Sequence, residues 1–235
     1  MELYAILIAS SVALVTLAVL LKINLKTIKL IKEIGGDSTL NEITNVLPEN
    51  KEICEEILQI LGNDKVNIKI GDEKSQTSLY VVATNSIFIA NIKSTFTRVQ
   101  TIAHECIHSV QDKRLLWFNF IFSNVYLIYF AVVTILTVFA KVAEPGVLAI
   151  ILVIMSMMLY FIRSYIENDA MIKARFVAKE YMERKQDRIN KKDIGIVVEN
   201  YDKINGLGIK FYNYKLLFDY LSKIIIYCII AIIRF

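Results

Sequence analysis

The sequence has little proline, glycine, cysteine or histidine, and each shortage narrows the reading. Two prolines and eight glycines in 235 residues leave no room for disorder beyond short linkers, and no internal repeat or low-complexity segment is visible. Three cysteines, Cys54, Cys106 and Cys228, are odd in number and scattered. They suggest no disulfide framework and fit a reducing compartment. The net charge of +4 is spread along the chain without a basic patch interleaved with aromatics, so no nucleic-acid partner is expected. There are only two histidines, and both fall in one short run.

Apolar residues are what the chain has in plenty. Its mean hydropathy of +0.49 is too high for an ordinary soluble domain. Three charge-poor stretches have membrane-spanning length: Leu3–Leu21, Leu115–Ala140 and Gly146–Ile162. A fourth, Leu216–Ile233, carries Asp219 and Lys223 in its first turns; four residues apart, these can pair on one helix face at a membrane boundary. Positive charges follow the first run, so it reads as a retained anchor rather than a cleaved signal. Lys22, Lys26, Lys29 and Lys32 follow the first span, Lys113 and Arg114 precede the second, and Arg163 closes the third. That bias predicts a multi-pass plasma-membrane protein with its polar segments in the cytoplasm.

Both histidines lie in Thr97–Asp112, within the pattern His104-Glu105-Cys106-Ile107-His108. Histidines placed at random would reproduce that H-E-x-x-H pattern about once in 2000 arrangements, so chance is a poor account of it. On a helix, residues four apart leave one face, where two imidazoles can share a metal. Glu105 sits one step round, placed to act as a base towards water without being a ligand. The stretch also carries Arg98, Gln100, Gln111 and Asp112, too many polar groups for a lipid-buried helix. Leu115 is only seven residues past His108, which predicts a metal near the cytoplasmic membrane surface.

Upstream, the lysines of residues 21–34 alternate with Leu25, Ile28 and Ile31 as in a basic amphipathic helix, and Asp37-Ser38-Thr39 opens a polar linker. Asn50–Leu61 has helical spacing, with Gly62 as its stop. Lys65–Ile70, Ser78–Ala83 and Ser86–Ala90 read as strands, with a turn at Thr84-Asn85, and Ser94-Thr95 is the expected N-cap of the motif helix.

Two histidines alone hold zinc poorly, and no third exists. The first polar residues after the third apolar run include Glu167, which shares a helical stripe with Ala170, Met171, Ala174 and Ala178. An inward-facing carboxylate needs a partner; a metal is one candidate and Arg163, four residues back, is another. Asp169 can pair with Lys173 or support a histidine ring N–H, and Asp112 is a second such supporting candidate or else an end-of-helix charge. Cys106 projects away from His108 and reads as a packed small residue. Tyr201, Tyr212 and Tyr214 are available as oxyanion donors, with nothing to single one out.

Thr101–Gln111, followed by two apolar runs and then Glu167-Asn168-Asp169-Ala170 with Ala174, resembles the bacterial membrane neutral zinc metallopeptidases, which show A-H-E-x-x-H-x-x-Q and later E-x-D-A-x-x-x-A. More distantly it is similar to the heat-shock and prenyl-protein-processing membrane metalloproteases. The resemblance implies His104, His108 and Glu167 as ligands of one Zn²⁺ and Glu105 as the catalytic base. It also implies that Ser86, Ile87, Phe88, Ile89 and Ala90 form the edge strand on which a peptide substrate docks. Ile107 and Ser109 depart from the small residues usual beside the second histidine, and Met171 stands where the heat-shock branch has Asp.

The expectation is an α+β membrane protein, mainly α, with about four transmembrane helices (1–22, 114–140, 146–163 and 216–235). Residues 23–113 would form a small cytoplasmic-side, gluzincin-like segment of short antiparallel strands plus the H-E-x-x-H helix. Residues 164–215 would be the third-ligand helix and a linker. The function expected is a zinc metallopeptidase acting on polypeptides, membrane proteins among them. The alternative is a non-catalytic membrane adaptor that binds through the basic strip Lys22–Lys32 and a long helix ending near Lys192.

Overall fold

The computed structural model describes residues 1–71, 77–90 and 95–235. They are mostly helical: α1 (Glu2–Leu20), α2 (Leu25–Gly35), α3 (Ser38–Asn45), α4 (Asn50–Ile60), α5 (Arg98–Val110), α6 (Lys113–Val138), α7 (Pro145–Glu183) and α8 (Lys191–Arg234). Three short strands, β1 (Asn67–Ile70), β2 (Leu79–Val81) and β3 (Ser86–Ile89), make one sheet. The chain divides into two compact units, one of residues Met1–Asn24, Phe118–Tyr165 and Lys210–Phe235, the other of Leu25–Trp117 and Ile166–Ile209.

In the first unit the sequence is apolar on nearly every helical face, and the helices leave much of that surface uncovered. Helices α1, α6, α7 and α8 are each long and apolar enough to cross a membrane. Ile8, Val15, Ile128, Ile135 and Phe161 are among the large side chains left exposed, a surface that water alone would not favour. The core gathers Tyr126, Val133, Leu152, Leu159, Tyr220, Ile224 and Tyr227 around Ala149 and Ala231. Its hydroxyls bond inside the bundle: Ser156 Oγ donates to Tyr126 Oη at 2.9 Å, and Thr137 Oγ1 to the Val133 carbonyl at 2.7 Å. Asp219 and Lys223 form the expected ion pair, at 2.7 Å.

In the second unit, α4 and α5 pack through Ile53, Cys54, Ile57, Ile102, Ala103 and Cys106, all buried. The free thiols of Cys54 and Cys106 lie 3.6 Å apart within this contact, and Cys106 is the packed residue expected. Gly62 takes a φ of 65°, a left-handed stop that glycine adopts without strain. Asn85, also left-handed, turns the chain into β3 and donates its Nδ2 to the Lys65 carbonyl. Arg98, buried on the first turn of α5, donates to the carbonyls of Thr44, Leu47 and Pro48 and to Asn50 Oδ1, at 2.7–3.1 Å. One guanidinium thus satisfies the carbonyls left over where α3 ends, and ties α3 and α4 to the motif helix.

Several expectations are corrected. Residues 37–39 do not open a linker: Asp37 N-caps α3, its Oδ1 accepting the Leu40 N–H at 3.1 Å. The basic amphipathic helix forms as α2, after Lys22 turns at a φ of 55°. The strands are not all antiparallel. The order is β1-β3-β2, with β1 parallel and β2 antiparallel to β3. Ser86–Ile89 is therefore the central strand, not an edge; its backbone is engaged on both sides, and Ser86, Ile87 and Ile89 are buried, as is Ala90 beyond it. β2 is shorter than Ser78–Ala83 because residues Val82–Thr84 close into a 3₁₀ turn. The motif helix starts at Arg98 behind Thr97, later than Ser94-Thr95; Ser94 lies outside the described residues. Helices α7 and α8 run unbroken past 163/164 and 215/216, and the two compact units divide near those positions, at Tyr165/Ile166 and Ile209/Lys210. Lys192 opens α8 rather than ending a helix.

Arg98→Met is expected to destabilise the fold by about 2–3 kcal/mol, because it strands the buried carbonyls that the guanidinium satisfies. Arg98→Lys should recover only part, since an ammonium cannot span both pairs of acceptors. Equilibrium unfolding of the full chain, followed by circular dichroism, checks both; a change under about 0.5 kcal/mol would refute the clamp.

Candidate metal centre

Helix α5 presents His104 and His108 one turn apart on one face, while Val99, Ala103, Cys106 and Ile107 bury the other side. Helix α7 brings Glu167 to meet them, with Ala170, Ala174 and Ala178 packed on its buried face. The Nε2 atoms of the two histidines are 3.0 Å apart, and Glu167 Oε2 lies 3.3 Å from His104 Nε2 and 3.7 Å from His108 Nε2. The two rings stand at 90° with centroids 4.6 Å apart. These side chains keep 10–19 % of their surface exposed.

That triangle fits a metal ion. One point lies about 2 Å from all three atoms, which matches zinc–nitrogen and zinc–oxygen bonds of about 2.0–2.2 Å. Hydrogen bonds around His108 fix its tautomer. Gln111 Nε2 lies 2.8 Å from the Ile166 carbonyl and 2.9 Å from Asp169 Oδ2, both acceptors, so its NH₂ must point there. Gln111 Oε1 then faces His108 Nδ1 at 2.8 Å and must accept a proton from it. With Nδ1 protonated, neutral His108 turns a lone pair from Nε2 towards His104 and Glu167.

Glu105 belongs to the site without joining the triangle. It is buried, and its Oε2 accepts the Tyr80 backbone N–H at 2.7 Å. That N–H points away from β3, so the free edge of β2 faces Glu105. Burial raises the Glu105 pKa, opposed by the nearby histidines and the Tyr80 N–H. Burial alone would lower His108, but the hydrogen bond and charge of Glu167 outweigh it and raise the pKa. Burial likewise works against the Glu167 charge, yet the two imidazoles overcome it and hold that carboxyl well below the usual range.

Of the other expected residues, Asp169 is present at one remove. It is 2.7 Å from Lys173 and reaches His108 only through Gln111, and these hydrogen bonds overcome its partial burial to lower its pKa. Asp112 plays no such part. It is exposed, and its Oδ1 accepts the Arg114 N–H at 2.8 Å where α6 begins. Tyr201 is fully buried and donates its hydroxyl to the Phe96 carbonyl at 2.7 Å, so it is not an oxyanion donor. Sequence reasoning missed the role of Gln111, although a residue three past His108 on a helix is within its reach, and missed the Tyr80 N–H, which carries no residue-type signal.

Zinc affinity should fall by at least about tenfold between pH 7.5 and 5.5, measured by competition with a chromophoric chelator. The sign follows from the raised His108 pKa: protons displace metal from the imidazole as pH falls, while Glu167 stays ionised throughout the window. Gln111→Leu should weaken zinc binding about 10–100-fold by releasing the His108 ring, and unchanged affinity would refute the positioning role. Comparison with known proteins adds no relative: no family model, no curated protein and no solved structure matches this chain.

Proposed function

We propose that the chain is a membrane-bound zinc metallopeptidase. The observation that carries this reading is the meeting of His104 Nε2, His108 Nε2 and Glu167 Oε2 around one point, with a buried carboxylate, Glu105, beside them but outside the set. A pure scaffold has no chemical need for that fourth group. The four long apolar helices support a multi-pass membrane protein, and the lysine bias supports a cytoplasmic side for the polar unit.

Zinc, when bound, supplies Lewis acidity towards a peptide carbonyl and towards water. The protein's own residues do the rest. His104, His108 and Glu167 hold the ion, and Gln111 holds the His108 ring in its ligating tautomer. Glu105 takes a proton from the attacking water at a carboxylate oxygen and later returns it to the leaving amine. An extended substrate would lie along the free edge of β2, where Tyr80 already aims its backbone at Glu105, rather than along β3.

Two measurements test the reading together. Elemental analysis of the purified chain should find one zinc, lost or much weakened in His108→Ala and Glu167→Ala. Glu105→Gln should keep its zinc and lose about 10²–10⁴-fold in the cleavage of an unstructured polypeptide. Full activity in Glu105→Gln would end the mechanism. Folded protein that takes up no supplied zinc would favour the scaffold alternative.

A further inference from the structure

A cavity of about 410 Å³ opens on His104 and runs from it along α5 towards Thr97. Its volume lies in the range of small-ligand sites. Its apolar walls are Ile31 of α2, Met171 and Ala174 of α7, and Ile204 and Gly208 of α8; on the α5 side Thr97 and Thr101 present hydroxyls, that of Thr97 paired with Thr95 Oγ1. Met171 and Ala174 continue the α7 stripe that begins at Glu167, so the cavity and the ligand triangle share one groove.

Among the described residues, no Asp, Glu, Lys or Arg lines this space. The two amides on its wall are already paired: Gln100 Nε2 donates to Asn205 Oδ1, and Asn205 Nδ2 donates to the Met171 carbonyl at 3.0 Å. An occupant is therefore asked for few hydrogen bonds and offered no counter-charge. A buried ion would be strongly disfavoured there, and an apolar group favoured. Gly208 leaves the far wall open, since a Cβ built on it meets no heavy atom within 4 Å.

We propose that this cavity is a specificity pocket, which seats a bulky, uncharged side chain of the substrate polypeptide next to the bond held at the metal. The proposal rests on the metallopeptidase reading and adds the class of residue selected. Gly208 sets the depth of the pocket, and Ile31, Met171 and Ile204 give it apolar walls.

The test uses the full chain in lipid nanodiscs, loaded with cobalt in place of zinc. Hydroxamates bearing a benzyl, an isobutyl or a carboxymethyl group are compared with acetohydroxamate, and binding is read from the visible cobalt spectrum. The benzyl and isobutyl compounds should bind about tenfold or more tighter than acetohydroxamate, the carboxymethyl compound no tighter. Gly208→Phe, first checked for full cobalt uptake, should reduce the benzyl preference to under about threefold by filling the space. Gly206→Phe is the control, because Gly206 is exposed on the same helix, lines no part of the cavity and also has open space at its Cβ; it should keep the preference. Cobalt binding without a preference in the wild type, or a preference that survives Gly208→Phe, overturns the pocket alone. Failure to bind cobalt overturns the metal reading beneath it.

Discussion

A neutral imidazole that turns one nitrogen to a metal carries its proton on the other, and a partner for that proton fixes the ring; this requirement ties the polar unit together at His108. His108 meets it through Gln111, whose amide is oriented by a carbonyl and a carboxylate of α7. The same glutamine therefore sets the His108 tautomer and the register between α5 and α7. Register matters because Glu167 and Ile166 are consecutive on α7: the helix that accepts a hydrogen bond from Gln111 is the one that carries Glu167 to the two histidines. A slide of one residue would rotate Glu167 by about 100° and remove it from the triangle.

The second constraint is the satisfaction of buried polar groups. The motif helix carries Arg98, Gln100, Glu105 and His108, all buried. Each has a partner within the unit: carbonyls for Arg98, Asn205 for Gln100, the Tyr80 N–H for Glu105 and Gln111 for His108. The polar residues that seem from sequence to mark a solvated helix instead mark one whose surroundings are built to receive them. Solvation and internal pairing place the same residue types on a helix, and sequence alone does not separate them.

This explains which features were legible. Helical arithmetic is local, so the facing histidines, the Glu105 offset and the inward stripe carrying Glu167 could be read from spacing. Strand existence was also local, and the turn at Asn85 followed from residue type. Sheet order was not legible: pairing β1 with β3 in parallel passes over β2, and nothing in Ser86–Ile89 distinguishes a central strand from an edge. Asp112 shows a different limit. Its position four past His108 fits support of a histidine, and its position before α6 fits an N-cap; the cap requires only local backbone and prevails. Asp37 was missed for a similar reason, since α3 is too short for its periodicity to stand out.

The charge balance of the site bears on what a carboxylate would bring to the proposed centre as its third ligand. Two neutral imidazoles and one carboxylate leave a divalent ion with a net single positive charge. Glu105, if ionised, cancels it. Without the ion, burial makes that second carboxylate costly and raises its pKa. An ion beside it would give the ionised form a counter-charge, so on the proposed reading the bound metal would itself keep the base ionised. Three histidine ligands would leave an excess charge and a different balance for the base. On the proposed reading, the Glu167 carboxylate and the buried Glu105 belong to one electrostatic arrangement, in which each buried negative charge has a stated partner.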